Sequence, residues 1–244
     1  MDPEKEEQVG MRLNKYIAHC GISNRREANA IIKGGQVKIN DEVVKNPSIK
    51  VQPTDIVSYK DIPVSILEPK VYILMNKPKN VSVLSEDNVR KSAMAIIQPK
   101  YEQTLSSTGN LANMDVGLLL LTNDQNIVDK FNEPDAEYIR IFHLQLDKPL
   151  SINHLIPIKE TKIIGADPVE IEDINFLAQE DRTKVGIELT VGSAALLHSL
   201  FTAFDYAIEK LDCMNFANLT KKDLPRGWFR DLTHKEIVLL KRFL

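Results

Sequence analysis

Cysteine is scarce in this chain: Cys20 and Cys213 are the only two in 244 residues. Lying far apart and in unlike contexts, they argue against a disulfide framework and against a metal cluster. No apolar run approaches the roughly 20 residues that cross a bilayer. Residues 1–10 are acidic and polar, the opposite of a secretory leader's basic start and apolar middle. No Ser-His-Asp, phosphate-loop or metal-ligand spacing stands out. Together these absences set aside secreted, membrane-spanning and metal-dependent classes and make the cytoplasm the expected compartment.

What is present is an ordinary globular composition, 43% hydrophobic and 27% charged. The length suits a small module followed by a larger core-forming domain. The net charge of −3 conceals an asymmetry: residues 12–50 hold eight basic and three acidic residues, a balance of +5, and the remainder carries −8. A basic module on an acidic body concentrates polyanion contact at one end. Charge alone favours the plainer reading, a solvated basic surface.

Leu13, Tyr16 and Ile17 fall at helical spacing, predicting a helix over residues 12–20, with Gly21 placed to end it in left-handed geometry. Asn24 and Glu27 have capping-box spacing and open a second helix running to Lys33, with Ala28, Ile31 and Ile32 inward. Val37 and Ile39 alternate as in a half-buried strand, and Asn40-Asp41 makes a turn. Residues 61–70, with Pro63 and Pro69, read as a connector; residues 71–75 and 118–121 read as buried strands, the latter leading to a helix capped by Asn123 or Asp124. Alternation predicts further strands at residues 144–146 and 185–190, and a helix covers residues 194–206.

The segment Arg-Leu-Asn-Lys-Tyr-Ile from Arg12, then Ser-Asn-Arg-Arg-Glu-Ala and Gly-Gly-Gln-Val-Lys-Ile-Asn, resembles an S4 RNA-binding domain. Asn76-Lys77-Pro78, the loop from Gly109 through Asp115 to Gly117 with its following leucines, and the closing Leu219–Thr233 region together resemble the pseudouridine synthases that act on ribosomal RNA. The resemblance implies an α+β fold: a small S4 (αL-type) module, then a synthase domain whose large mixed, mostly antiparallel sheet is flanked by helices. The implied organisation is a flexible acidic tail over residues 1–10, the S4 domain over 11–60, a linker over 61–70 and the synthase-like domain over 71–244. No cofactor and no metal are implied, and the implied partner is RNA, most naturally ribosomal RNA or an assembling subunit, bound by a monomer.

In the S4-like module the expected RNA contacts are Arg12, Lys15, Arg25, Arg26, Lys33 and Lys38. Arg25 and Arg26 sit in a helix's first turn, where the dipole disfavours cations, so a compensating phosphate is the natural partner. An ion pair of either with Glu27 or a tail acid is the structural alternative.

Isomerising uridine requires a carboxylate beside the sugar, an aromatic ring against the unstacked base and a cation that keeps the carboxylate ionised. In this family the carboxylate belongs to the Asp of Gly-Arg-Leu-Asp, a position held here by Ala112, with Asn110 in place of the Arg. The stacking Tyr matches Phe142, the basic residue two before it is kept as Arg140, and the cation that pairs with the Asp falls at His198. Further arginines match Ser193, Ala195 and Ser199. Losing both partners of a buried ion pair relieves a penalty of several kcal/mol that losing one would incur (about 3–5 kcal/mol). Asp115 is the one candidate replacement carboxylate in the loop, although its place in the motif suits a turn or capping role. His198, His143 and His154 show no companion carboxylate in the sequence.

Three readings follow. The first is a catalytically degenerate RNA-binding protein with the synthase fold. The second is a still-active ribosomal RNA isomerase using an atypical residue, and the third a protein-interaction scaffold without RNA binding. Persistence of the module's cations favours the first over the third; an isomerase assay separates the first two.

Overall fold

The apolar spacing near the start forms the expected helices: α1 (Leu13–His19) follows the short β1 (Met11–Arg12), and α2 (Arg25–Lys33) comes next. In this computed structural model residues 10–83, 92–101, 103–109 and 111–244 are described. The expected tail therefore lies, Gly10 apart, outside the described residues, as does Asn110. Two compact units divide at residue 69.

In the first unit, Gly21 takes φ +73° after α1. Asn24 caps α2, its side chain accepting from the amides of Arg26 and Glu27 while Glu27 receives the Asn24 amide, an arrangement worth about 1 kcal/mol. Leu13 and Ile17 of α1 meet Ala28 and Ile32 of α2 over Val37, Val51 and Val57. The valines come from β2 (Val37–Ile39), β4 (Lys50–Val51) and β5 (Val57–Tyr59). A four-stranded sheet runs β3 (Glu42–Val43), β2, β5, β6 (Ile62–Pro63), and β1 pairs with β4. Asn40 and Asp41 turn β2 into β3 with φ of 49° and 68°, the paired positive values of a hairpin turn.

The expected connector differs from what is found. Ile62–Pro63 is an edge strand on Ser58 and Tyr59, and the Leu67 amide reaches the His19 carbonyl at 3.0 Å. Proline lacks an N–H, which an edge strand tolerates, so Pro63 marks a sheet margin here.

The second unit is built on one sheet. Its path runs β13 (Glu170–Phe176), β14 (Lys184–Val191), β10 (Arg140–Leu146), β15 (Ile208–Phe216), β9 (Val116–Thr122), β7 (Tyr72–Lys77), β17 (Phe229–Asp231). β8 (Ser106–Thr108) joins β9, and β16 (Leu219–Thr220) joins β15. Pairing is antiparallel except between β9 and β15, which run parallel through Val116 and Gly117. β11 (Ile163–Ile164) and β12 (Asp167–Pro168) form a separate hairpin.

β7 and β9 are buried throughout, and largely apolar, because both sheet faces are covered there. Leu74, Leu118 and Leu120 pack with α4 (Gln125–Asn132) and α6 (Ala194–Ala203) on one side. Ile73, Met75, Leu119 and Leu121 pack with α3 (Ala93–Ile97) on the other. β10 instead alternates, with Phe142, Leu144 and Leu146 buried and the intervening residues half-buried. The remaining helices are α5 (Ile152–Glu160) and α7 (His234–Leu240). Asp124 does stand at the N-cap of α4, but its carboxylate makes no cap bond; it accepts from the buried Tyr72 hydroxyl at 2.5 Å.

Candidate RNA interface and catalytic-loop site

In the first unit, Arg12, Lys15, Arg25 and Lys50 line one concavity of about 720 Å³, beside Tyr16 and Val51. The entry of α1 and the first turn of α2 supply the first three, and β4 supplies Lys50. Among the described residues, Arg12, Lys15, Arg25 and Arg26 have no carboxylate within ion-pair distance. Glu27 is engaged in the capping box instead. Arg26 and Lys33 lie exposed on α2, outside the concavity. Lys38 is bridged to Asp61, and that hydrogen bond raises its pKa. Three of the six expected contacts thus share one surface, joined by Lys50, which the spacing of the helical motifs gave no reason to choose.

In the second unit the loop before β9 is held from several directions. The Asp115 amide donates to the Ala112 carbonyl at 3.1 Å, and Asp115 Oδ2 accepts from the Ala112 amide at 3.0 Å. Lys77 Nζ, at the end of β7 and fully buried, donates to the carbonyls of Ala112 at 2.8 Å and Asp115 at 2.7 Å. Burial pulls the Lys77 pKa down to about 8, partly opposed by Asp115. The Asn80 amide holds the Asn113 carbonyl at 2.9 Å. Gly117 fixes the far end: at φ +114° a Cβ there would stand 2.3 Å from the Cys213 carbonyl oxygen, so only glycine allows the parallel pairing to β15.

The expectation that His198 lacks a carboxylate is corrected. Its Nε2 donates to Asp115 Oδ1 at 2.9 Å, bridging α6 to the loop. Asp115 takes the turn role expected of it with one oxygen and meets His198 with the other. Its side chain is 3% exposed against 36% for His198. His154, also expected to stand alone, contacts the Tyr206 hydroxyl through Nδ1 at 3.0 Å.

Ala112 is exposed and presents only a methyl group. Phe142 is 2% exposed, part of the core below the sheet face. Arg140 is 5% exposed, with its guanidinium carbon 4.1 Å from the Tyr138 ring centroid. Its Nη2 makes one long bond, 3.5 Å, to the Thr190 carbonyl, and burial lowers its pKa. No cluster of metal-ligating residues occurs among the described residues.

Sequence reasoning passed over a second cluster. Arg226 Nη2 meets Asp212 Oδ2 at 2.6 Å, its Nη1 meets Asn76 Oδ1 at 2.7 Å, and Lys221 also binds Asp212. Burial raises the Asp212 pKa, but the bonds from Arg226 and Lys221 outweigh it and hold the carboxyl below its ordinary value. This network ties the Asn-Lys-Pro corner to the closing segment; the recurrence of both motifs was the available signal.

The S4 domain model matches residues 11–57. Ribosomal large subunit pseudouridine synthase B of Bacillus subtilis is 29% identical over 238 residues, covering 94% of this chain and 95% of that protein. Along nearly its whole length the chain is homologous to S4-bearing ribosomal RNA pseudouridine synthases. The dual-specificity RNA pseudouridine synthase RluF of Escherichia coli is 26% identical, over 96% of this chain and 79% of its own length. A crystal structure of a pseudouridylate synthase superposes with a TM-score of 0.60 at 24% identity, covering 94% of this chain and 99% of that one, and shares the α+β fold. The fold shared with that structure thus surrounds a loop whose position 112 is alanine. No helix among the described residues is long and apolar enough to cross a membrane.

Proposed function

We propose that this protein is a catalytically silent relative of these synthases that binds ribosomal RNA or an assembling ribosomal subunit as a cytoplasmic monomer. The observation that carries the reading is the state of the loop. Position 112 offers no functional group, and Asp115, the loop's one carboxylate among the described residues, is buried with one oxygen on the Ala112 amide and the other on His198. Presenting it to a ribose would strip both bonds, and a hydrogen bond to a charged group is worth about 1.5–3 kcal/mol. The RNA half of the reading rests on Arg12, Lys15, Arg25 and Lys50 around one concavity, a convergence suited to phosphate.

The test is pseudouridine formation by purified protein on unmodified ribosomal RNA and on assembly intermediates, with Ala112→Asp and an active relative in parallel. The expected result is no conversion by the wild type where the relative converts. Site-specific conversion by the wild type overturns the proposal and makes Asp115 the next residue to replace.

A further inference from the structure

Arg140 poses a question that the catalytic loop does not answer. A guanidinium carries five N–H donors and stays charged in proteins. Here it is 5% exposed, its Nε has no hydrogen-bond partner, and its single bond is the 3.5 Å approach of Nη2 to Thr190. The Tyr138 face beside it supplies cation–π contact, worth about 2 kcal/mol when desolvated. That does not match the several kcal/mol that burying an unpaired charge costs. No described carboxylate reaches it.

Arg140 lines a cavity of about 410 Å³ that the start of α6 also lines, through Ser193, Ala195 and Leu196. The first amides of a helix have no acceptor within it. Of these, Ser193 Oγ takes the Leu196 amide. A buried guanidinium and a ten-residue helix's N-terminus therefore bound one space, and both favour an anion there.

We infer that this cavity binds a compact phosphate group, as inorganic phosphate or a small phosphate ester, held by Arg140 and the N-terminus of α6. The rim argues for a small anion over an RNA strand. Glu133, paired with Lys130 at 2.7 Å, and Asp167 line the cavity too and are exposed; their carboxylates disfavour a strand of many phosphates more than a single group whose charge Arg140 offsets. This inference goes beyond the proposed function and does not depend on it.

The test uses the full chain and thermal unfolding with inorganic phosphate, against sodium chloride at equal ionic strength. Phosphate at ten times its Kd raises the wild-type Tm by about 3 °C. Arg140→Met loses that response, and without phosphate it melts at or above the wild type because the unpaired charge is gone. An equal phosphate response in Arg140→Met, or none in the wild type, overturns the inference. Should Arg140→Met not fold, Ala195→Asp serves: its carboxylate on the cavity wall supplies the missing anion, raising the Tm and abolishing the phosphate response. An undiminished response in that variant counts against the site. A shift caused by an oligoribonucleotide with unphosphorylated ends and lost in Arg140→Met, with phosphate inert, reassigns the cavity to RNA and likewise overturns the inference.

Discussion

The two units use their cations in opposite ways. In the first, Arg12, Lys15 and Arg25, with no carboxylate within ion-pair distance among the described residues, converge on an open concavity. In the second, Lys77 is turned onto loop carbonyls, Lys221 and Arg226 close on Asp212, Arg230 closes on Glu236, and Arg140 lies buried on Tyr138. At α6, where the family's motif carries arginines, Ser193, Ala195 and Ser199 stand. Formal charge is therefore a poor guide to polyanion affinity: what counts is whether a cation already has a partner inside the protein. On the proposed reading, RNA affinity falls to the first unit, while most of these cations of the second serve the framework.

The sharpest way to break this comparison is to reverse charge in the first unit. Arg25→Glu with Arg26→Glu is expected to abolish RNA binding, read by fluorescence anisotropy. Because Arg25 lines the concavity and Arg26 does not, the single Arg25→Glu variant is expected to account for most of the loss. Each lost phosphate contact lowers the slope of log K against log salt by about 0.7–0.9. Undiminished binding in the double variant ends the assignment of this unit as the RNA anchor.

Much of the scaffold that presents these residues was legible in the sequence. The helices α1 and α2, the capping box and the buried β7 and β9 follow from local periodicity and caps, and the structure has them close to the expected bounds. Elements whose form depends on distant partners were not. β15 carries Glu209, Lys210 and Asp212 among its apolar residues, and its pairing with β10 shifts register twice, so no period of two survives. α5 holds Pro157 inside it, a residue that reads as a helix breaker. The site divides along the same line. Ala112 is visible from the motif, whereas the Asp115–His198 bond joins residues 83 apart. A turn-forming Asp gives no sign in sequence of where its second oxygen points.

Removing Lys77 sharpens the second half of the comparison. Lys77→Met keeps the side chain's length and apolar stem but takes its donor from the buried Asp115 carbonyl, while the Ala112 carbonyl keeps the Asp115 amide. An unsatisfied buried group costs about 1–3 kcal/mol, while relief from burying the ammonium acts the other way. A net loss of about 2 kcal/mol by denaturant unfolding is expected, and a gain would mean that the buried charge, not the loop, dominates there. The wild type offers a second reading in pH. With the folded pKa near 8, below the ordinary 10.5, the unfolded chain binds more protons between those values, so stability contributed by this group rises with pH across that window. Cys213, its thiol pushed up to about 12 by burial, opposes the trend above pH 9, and Tyr72, raised by burial and by Asp124, does so above pH 10; the Lys77 effect is therefore read as the difference between wild type and Lys77→Met from pH 8 to 10.

The smallest expected effect concerns Arg230. Both its terminal nitrogens meet Glu236, at 2.9 and 2.8 Å, and Glu236 also caps α7 by accepting from the Thr233 amide at 2.8 Å. The bonds from Arg230, ahead of those from Thr233, pull the Glu236 pKa to about 2 from 4.5. The folded value is depressed, so this stabilisation is complete above pH 4.5 and is lost as pH falls towards 2. Glu236→Gln is expected to cost about 1–2 kcal/mol at neutral pH and to flatten the acid limb of the stability profile. The same variant frees a guanidinium in the second unit without adding a residue. If a released cation there were enough to recruit RNA, affinity would rise; unchanged affinity shows that the first unit's convergent geometry, rather than the number of unpaired cations, sets the binding.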